Sequence, residues 1–138
     1  MNILIIDGQG GHLGAQLVKE ISSEFTDADI TAIGTNAVAT AAMLKAGAKK
    51  AATGENPVIV ACRKAEVIIG PIGIVIADSL LGEVTPAMAC AVGKADAVRI
   101  LLPMNKCENF VAGVTNLNTT TLIGDAIDKL RGIMSKNK

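Results

Sequence analysis

The sequence predicts a single α/β domain in three layers, with a mostly parallel sheet of five or six strands between two layers of helices. The first apolar run, residues 3–6, has no polar alternation and stops at Asp7-Gly8, which is typical of a central strand buried on both faces. Strand-like segments then alternate with helix-like segments along the 138 residues. Parallel strands need crossover connections, so this alternation favours a parallel sheet.

The segments up to residue 63 fit this arrangement in order. Apolar residues recur at helical spacing over residues 11–25 and predict the first helix, with Leu13, Leu17, Val18, Ile21 and Phe25 inward. Residues 30–33 predict a second strand, after which Thr35 or Asn36 can cap an Ala-rich helix that runs to Leu44 and stops at Gly47. Residues 48–53 predict a weak third strand, and Pro57 a short helix to about Arg63, although residues 58–60 fit the strand equally well.

The second half of the chain repeats the pattern. Residues 67–69 predict a strand, closed by the turn at residues 70–73 and followed by a helix through about Leu81. Thr85-Pro86 predicts the start of a helix that ends at Gly93. The last segments predict a strand over residues 98–102, an edge strand over 110–114 and an amphipathic helix over 119–134 with Leu122, Ile123, Ala126, Ile127 and Leu130 inward.

Composition excludes several classes of function. Thirteen Lys and Arg balance thirteen Asp and Glu without a basic block, which argues against nucleic-acid and membrane-surface partners. The longest apolar stretch, residues 67–77, is too short to span a bilayer. Cys62, Cys90 and Cys107 show no metal or disulfide spacing, so we expect a cytoplasmic protein with reduced thiols. Low charge content favours a homo-oligomer.

A glycine-rich loop follows the first strand. Gly8, Gly11 and Gly14 in the run Asp7-Gly8-Gln9-Gly10-Gly11-His12-Leu13-Gly14 have the spacing of the phosphate loop of short-chain reductases and sugar-nucleotide epimerases, which is a likeness to NAD(P)-binding Rossmann proteins. Gly8 permits a tight turn, Gly10 and Gly11 let backbone amides approach a pyrophosphate, and Gly14 lets the helix lie close to the sheet. The helix start favours an anion.

Two further segments are expected at the same edge of the sheet, beyond the carboxyl ends of the strands, where such folds bind ligands. Gly34-Thr35-Asn36 stands where NAD-binding proteins usually have an acidic residue, so NADP or a mononucleotide fits better than NAD. Gly70-Pro71-Ile72-Gly73 would line the far side of the cleft, and residues 103–105 complete the edge. Each of these segments also has a purely structural interpretation, as a helix cap or a turn.

Catalytic residues are not evident. His12 could contact a phosphate, and Asp7 and Glu55 are the carboxylates most expected to face the cleft, but solvated or capping roles explain all three. Short-chain reductases use a Tyr with a Lys four residues later, and the chain has no Tyr. No metal site is expected.

Four stretches carry a resemblance that covers nearly the whole chain. Residues 6–11, 34–36, 52–56 and 69–74 together resemble an uncharacterised bacterial family, domain of unknown function 3842. The resemblance implies a free-standing bacterial protein and brings no established activity.

Three functions remain in competition. The first is a nucleotide-binding sensor or subunit that takes NADP or a related adenine nucleotide through the glycine loop. The second is a small oligomeric enzyme whose active site is shared at an interface and uses Asp7, Glu55 or His12. The third is an interaction protein that docks a partner on residues 67–81, its glycine loop being structural.

Overall fold

A computed structural model describes residues 1–104, 109–115 and 118–137 of the chain. Strands and helices alternate along these residues, as the sequence predicts. Their bounds are β1 (Asn2–Asp7), α1 (His12–Glu24), β2 (Asp29–Gly34), α2 (Ala37–Lys45), β3 (Lys50–Thr53), α3 (Glu55–Cys62), β4 (Val67–Pro71), a 3₁₀ turn (Ile72–Val75), α4 (Pro86–Lys94), β5 (Val98–Leu102) and α5 (Thr119–Lys136).

The five strands form one sheet in the order β3-β2-β1-β4-β5, and every pairing is parallel. In the centre, Ile3 of β1 lies between Ile30 of β2 and Val67 of β4. The chain adds β2 and β3 on one side of β1, and then β4 and β5 on the other. The carboxyl ends of β1 and β4 therefore border the topological switch point, where sheets of this kind bind ligands.

Two apolar cores lie against the two faces of the sheet, which gives the three-layer, Rossmann-like arrangement that the sequence predicts. Ile3 and Ile5 belong to the core built with α1, α2 and α5. Leu4 and Ile6 belong to the core built with α3 and α4. Alternate residues of β1 thus enter opposite cores, which is why its sequence is apolar throughout.

The structure resolves one open alternative and corrects two predictions. Residues 58–60 lie in α3, since Gly54 turns the chain at φ 106° directly after β3 and the helix begins at Glu55. The predicted helix through Leu81 is wrong: after the 3₁₀ turn the chain runs through turns in which Asp78, Leu80 and Leu81 have positive φ. The predicted edge strand over residues 110–114 is also wrong.

Residues 110–114 form a turn, with Gly113 at φ 84° and the Phe110 side chain 94% exposed. An edge strand needs one face in the core, but none of these residues is buried and only Val111 and Val114 are half-buried, so a strand here would lack core contacts to stabilise it. In the ranges that the structure describes, no helix is both long and apolar enough to cross a bilayer.

Candidate functional site

The glycine loop (residues 8–14) connects β1 to α1 at the switch point. Gln9 at φ 49° and Gly11 at φ 75° take left-handed conformations, and the amide of Gly11 donates to the carbonyl of Gly8 at 3.0 Å, which closes the turn. Helix α1 then begins at His12, with Gly11 as an N-cap residue that has no side chain to offer. The chain must cap this helix by other means.

Asp7, the last residue of β1, supplies that cap from below. Its carboxylate is only 4% exposed and accepts from the amide of Gly8 at 2.8 Å through Oδ1 and from the amide of Gly14 at 2.7 Å through Oδ2. Burial raises the pKa of Asp7, and the two amide hydrogen bonds oppose that rise. Asp7 therefore holds both ends of the loop, which is a structural role.

Packing within the protein explains three of the loop's four glycines. A Cβ on Gly8 would lie 2.5 Å from Thr35 Oγ1, one on Gly11 would lie 2.7 Å from the Cα of Ala39 in α2, and one on Gly14 would lie 2.7 Å from Met43 Sδ. A Cβ on Gly10 would meet only the movable ring of His12, at 3.1 Å. Gly10 is thus the loop glycine that folding does not require.

The loop amides divide into those with partners and those without. The Asp7 carboxylate accepts hydrogen bonds from the amides of Gly8 and Gly14, and the carbonyl of Gly8 accepts one from the amide of Gly11. The amide of Gln9 donates to Glu83, a residue distant in sequence, at 2.8 Å. Among the described residues, the amides of Gly10, His12 and Leu13 have no hydrogen-bond partner. The latter two are the first amides of α1, at the positive end of the helix dipole.

The end of β2 lies directly beside the glycine loop. Gly34 pairs with Asp7 in the sheet, and the amide of Thr35 donates to the carbonyl of Asp7 at 2.9 Å. Asn36 caps α2 by accepting from the amide of Ala39, and its Nδ2 donates to the carbonyl of Gln9 at 3.0 Å. The structure therefore brings these sequence-predicted residues into one hydrogen-bonded group.

A segment that the sequence does not single out covers this group. We call residues 76–84 the arch, because they cross from the end of β4 toward the end of β2. Leu80 is 2% exposed and points at Gly8, while Leu81 beside it is 94% exposed. Asp78, Leu80 and Leu81 all have positive φ, which non-glycine residues rarely adopt. The arch fills part of the crevice at the switch point with the protein's own side chains.

Glu83 joins the arch to both sequence-predicted segments. Its Oε1 accepts from the amide of Gln9 at 2.8 Å, from Thr35 Oγ1 at 2.7 Å and from Asn36 Nδ2 at 2.6 Å. Burial would raise the pKa of Glu83, but these three hydrogen bonds outweigh it and lower the pKa below the ordinary glutamate value. A charged carboxylate therefore stands beside the end of β2, where the sequence of β2 itself offers none.

The second predicted wall, Gly70-Pro71-Ile72-Gly73, is covered by other parts of the protein. Gly70, Pro71 and Gly73 are buried, and Ile72 is half-buried. A Cβ on Gly70 would lie 2.4 Å from the carbonyl oxygen of Ile6, and Ser79 Oγ in the arch donates to the carbonyl of Gly73 at 2.5 Å. This turn supports the arch rather than facing an open cleft.

The remaining candidate side chains lie elsewhere. Glu55 at the start of α3 accepts from Thr85 Oγ1 at 2.6 Å and so links two helix starts. Cys62 is buried, which raises the pKa of its thiol, and Cys90 is exposed. Asn105 and Cys107 lie outside the described residues. Within those residues, His, Cys, Asp and Glu side chains do not gather in groups of three or more that could hold a metal ion.

Comparison with known proteins identifies a family. The sequence profile of the family described as Domain of unknown function (DUF3842) matches residues 2–135, and the chain belongs to that family. No curated protein and no solved structure matches the chain.

Proposed function

We propose that this member of the family binds a nucleotide at the glycine loop, NADP or a related adenine nucleotide, and acts as a sensor or as a subunit whose partner supplies chemistry. One observation carries the proposal. In a loop where the other amides are paired, those of Gly10, His12 and Leu13 have no partner within the described part of the chain, and they sit at the positive end of α1. Phosphate oxygens are the ligands that such amides favour.

Gly10 supports the same site by an independent argument. Packing accounts for Gly8, Gly11 and Gly14, but a side chain on Gly10 would meet only the ring of His12. Glycine at a position that packing leaves open fits a backbone that a ligand must approach closely. This is the position at which phosphate-binding loops let a pyrophosphate reach the main chain.

The two rival functions receive less support from the geometry. Residues 67–81, the docking surface of the interaction hypothesis, include the central strand β4 and the buried side chains of Ile74 and Leu80. Asp7 and Glu55, the acids of the enzyme hypothesis, are already engaged by two loop amides and by Thr85. The shared-interface enzyme would need its reactive groups from another copy of the chain.

Calorimetric titration with NAD, NADP, ADP and AMP tests the proposal, with two variants at one position. Gly10→Asp adds a carboxylate beside the free amides and should weaken binding at least about tenfold, because like charges oppose a phosphate. Gly10→Ala adds a methyl group where the ligand approaches the main chain but no charge, so it should weaken binding less than Gly10→Asp does. Gly11 is unsuitable for this test, because its Cβ would strike the backbone of Ala39.

Two outcomes would overturn the proposal. One is the absence of heat with every nucleotide at about 1 mM, which corresponds to binding weaker than about −4 kcal/mol. The other is binding that Gly10→Asp leaves unchanged, because the ligand would then sit away from the loop amides.

A further inference from the structure

Glu83 is held in one place by donors from two different elements. The amide of Gln9 belongs to the glycine loop, and the side chains of Thr35 and Asn36 belong to the end of β2, yet all three donate to the same oxygen, Oε1. Rotating the Glu83 side chain away would break all three hydrogen bonds at once, so these bonds hold it in this position. The carboxylate is therefore a fixed feature of the proposed nucleotide site, and Gln9, whose amide it binds, directly precedes Gly10 with its free amide.

The second oxygen of Glu83 and its charge remain available. Oε2 accepts no hydrogen bond from any residue that the structure describes, and no Lys, Arg or His in those ranges forms an ion pair with this carboxylate. A carboxylate oxygen is an acceptor only, so it suits a hydroxyl group and repels a phosphate. Glu83 Oε2 would therefore favour a ligand hydroxyl and disfavour a ligand phosphate at the same place beside the glycine loop.

We propose that Glu83 reads the ribose of the nucleotide: it accepts from a free ribose 2′-hydroxyl and excludes a 2′-phosphate. The inference rests on the proposed function, keeps its adenine-nucleotide site, and replaces NADP as the preferred ligand by nucleotides with a free 2′-hydroxyl such as NAD, ADP or AMP. In dinucleotide-binding sheets an acidic residue that follows β2 does this work. In this chain the position after β2 holds Thr35 and Asn36, and the arch delivers the carboxylate to them from 47 residues further along the chain, as measured from Asn36.

This placement reverses the preference for NADP that β2 alone indicates. The sequence argument relied on the absence of a carboxylate after Gly34, and Glu83 supplies one in three dimensions. The side chains of Thr35 and Asn36, which could otherwise donate to a 2′-phosphate, already donate to Glu83. A 2′-phosphate would thus be repelled by the charge of Glu83 and would find no free donor on the side chains of Thr35 and Asn36 that already bind Glu83.

The test compares ligands that differ only at the 2′ position, in the wild-type chain and in Glu83→Gln. AMP, 2′-deoxy-AMP and 2′-phospho-AMP are titrated, and NAD is compared with NADP. The wild type should bind AMP at least about tenfold more tightly than either analogue, the size expected of a hydrogen bond to a charged group. Glu83→Gln keeps an oxygen for Gln9 and should reduce both ratios to within about threefold. Glu55→Gln, at the same edge, is the control and should leave the ratios unchanged.

The outcomes separate this inference from the function on which it rests. If none of the nucleotides binds, the proposed function fails and the inference fails with it. If nucleotides bind through Gly10 but the wild type shows no 2′ preference, or Glu83→Gln keeps it, the inference alone is overturned. If Glu83→Gln strengthens binding of all ligands by one common factor, Glu83 is a competitor of the ligand and not a reader of its ribose, which also overturns the inference.

Discussion

The two glycine-rich turns at the switch point look alike in sequence and differ in the structure. In the turn after β4, a Cβ on Gly70 would meet the carbonyl oxygen of Ile6, and Ser79 binds the carbonyl of Gly73. In the glycine loop after β1, Gly10 faces only the ring of His12, and three amides have no partner among the described residues. Glycine spacing alone therefore does not distinguish a ligand loop from a packed turn. What distinguishes them is the set of atoms that a side chain added at each glycine would meet.

The largest expected effect tests that comparison directly. Gly70→Ala should destabilise the protein by about 3 kcal/mol, because its Cβ meets main-chain oxygen in the centre of the sheet, where neither group can move. Gly10→Ala should change the free energy of unfolding by less than about 1 kcal/mol. Urea unfolding of both variants measures the difference. Equal costs would show that the two turns are not distinguished by packing.

A second prediction sharpens how the glycine loop is held. Asn36 and Asn118 both cap helices, accepting from Ala39 and from Thr121 at 2.8 Å, but Asn36 also donates to Gln9 and to Glu83. Asn118→Ala should cost about 1 kcal/mol and Asn36→Ala about 2 kcal/mol, since the second loses the cap and two further hydrogen bonds. Chemical denaturation of the matched pair gives both values. A cost for Asn36→Ala no greater than that for Asn118→Ala would contradict the added role.

A third prediction uses the two carboxylates that hold the loop, whose pKa values shift in opposite directions. The pKa of Glu83 is lowered, so its stabilising contribution is present above the ordinary glutamate pKa of about 4.3 and is lost as pH falls through the lower folded-state value. The pKa of Asp7 is raised, so its contribution is full below the ordinary aspartate pKa of about 3.9 and is lost as pH rises through the folded-state value.

Urea midpoints measured from about pH 3 to about pH 7 separate the two groups when the wild type is compared with Glu83→Gln. As pH falls, the variant should lose less stability than the wild type, because it lacks the Glu83 carboxylate. As pH rises, both proteins should lose the stability that protonated Asp7 contributes. The Glu83 effect should be small, because the group is only partly buried and solvent screens it. If stability depends on pH in the same way in both proteins, the Glu83 carboxylate does not make the hydrogen bonds described above.

The smallest expected effect concerns the arch. Leu81 has φ 57° and is 94% exposed, so it carries the cost of a left-handed conformation without burying its side chain. Leu81→Asn should stabilise the protein by about 0.5 kcal/mol, because asparagine tolerates this conformation better. Thermal unfolding measures the change. A loss of stability would mean that the Leu81 side chain has a contact that the exposed position does not suggest.

Local patterns in the sequence were sufficient for most of the fold. The uninterrupted apolar run of β1, the stripe of α1 and the caps at Asn36 and Thr85 each depend on neighbours within a few residues, and the structure confirms them. The segment after β4 was predicted wrongly as a helix, since its apolar residues suit one and no glycine marks Asp78, Leu80 or Leu81 as left-handed. Tertiary contacts of Leu80 and Ser79 override that local preference.

The candidate site was only partly accessible to the same reasoning. The glycine loop and the end of β2 are adjacent because parallel strands β1 and β2 end together, which topology predicts. Glu83 comes from a different part of the chain and reaches the loop through an irregular segment, so no spacing rule points to it. A glutamate directly before an apolar residue and a helix cap has no signature of its own in the sequence.

The central place of β1 also determines when the protein can assemble on the ribosome. Ile3 is made first, but its second neighbour in the sheet, Val67, follows only after most of the first half of the chain. At roughly 5–20 residues per second, synthesis leaves one edge of this apolar strand without a partner for several seconds. During that interval the nascent chain exposes an apolar strand with an unpaired edge, which can aggregate or bind a chaperone until β4 emerges from the exit tunnel.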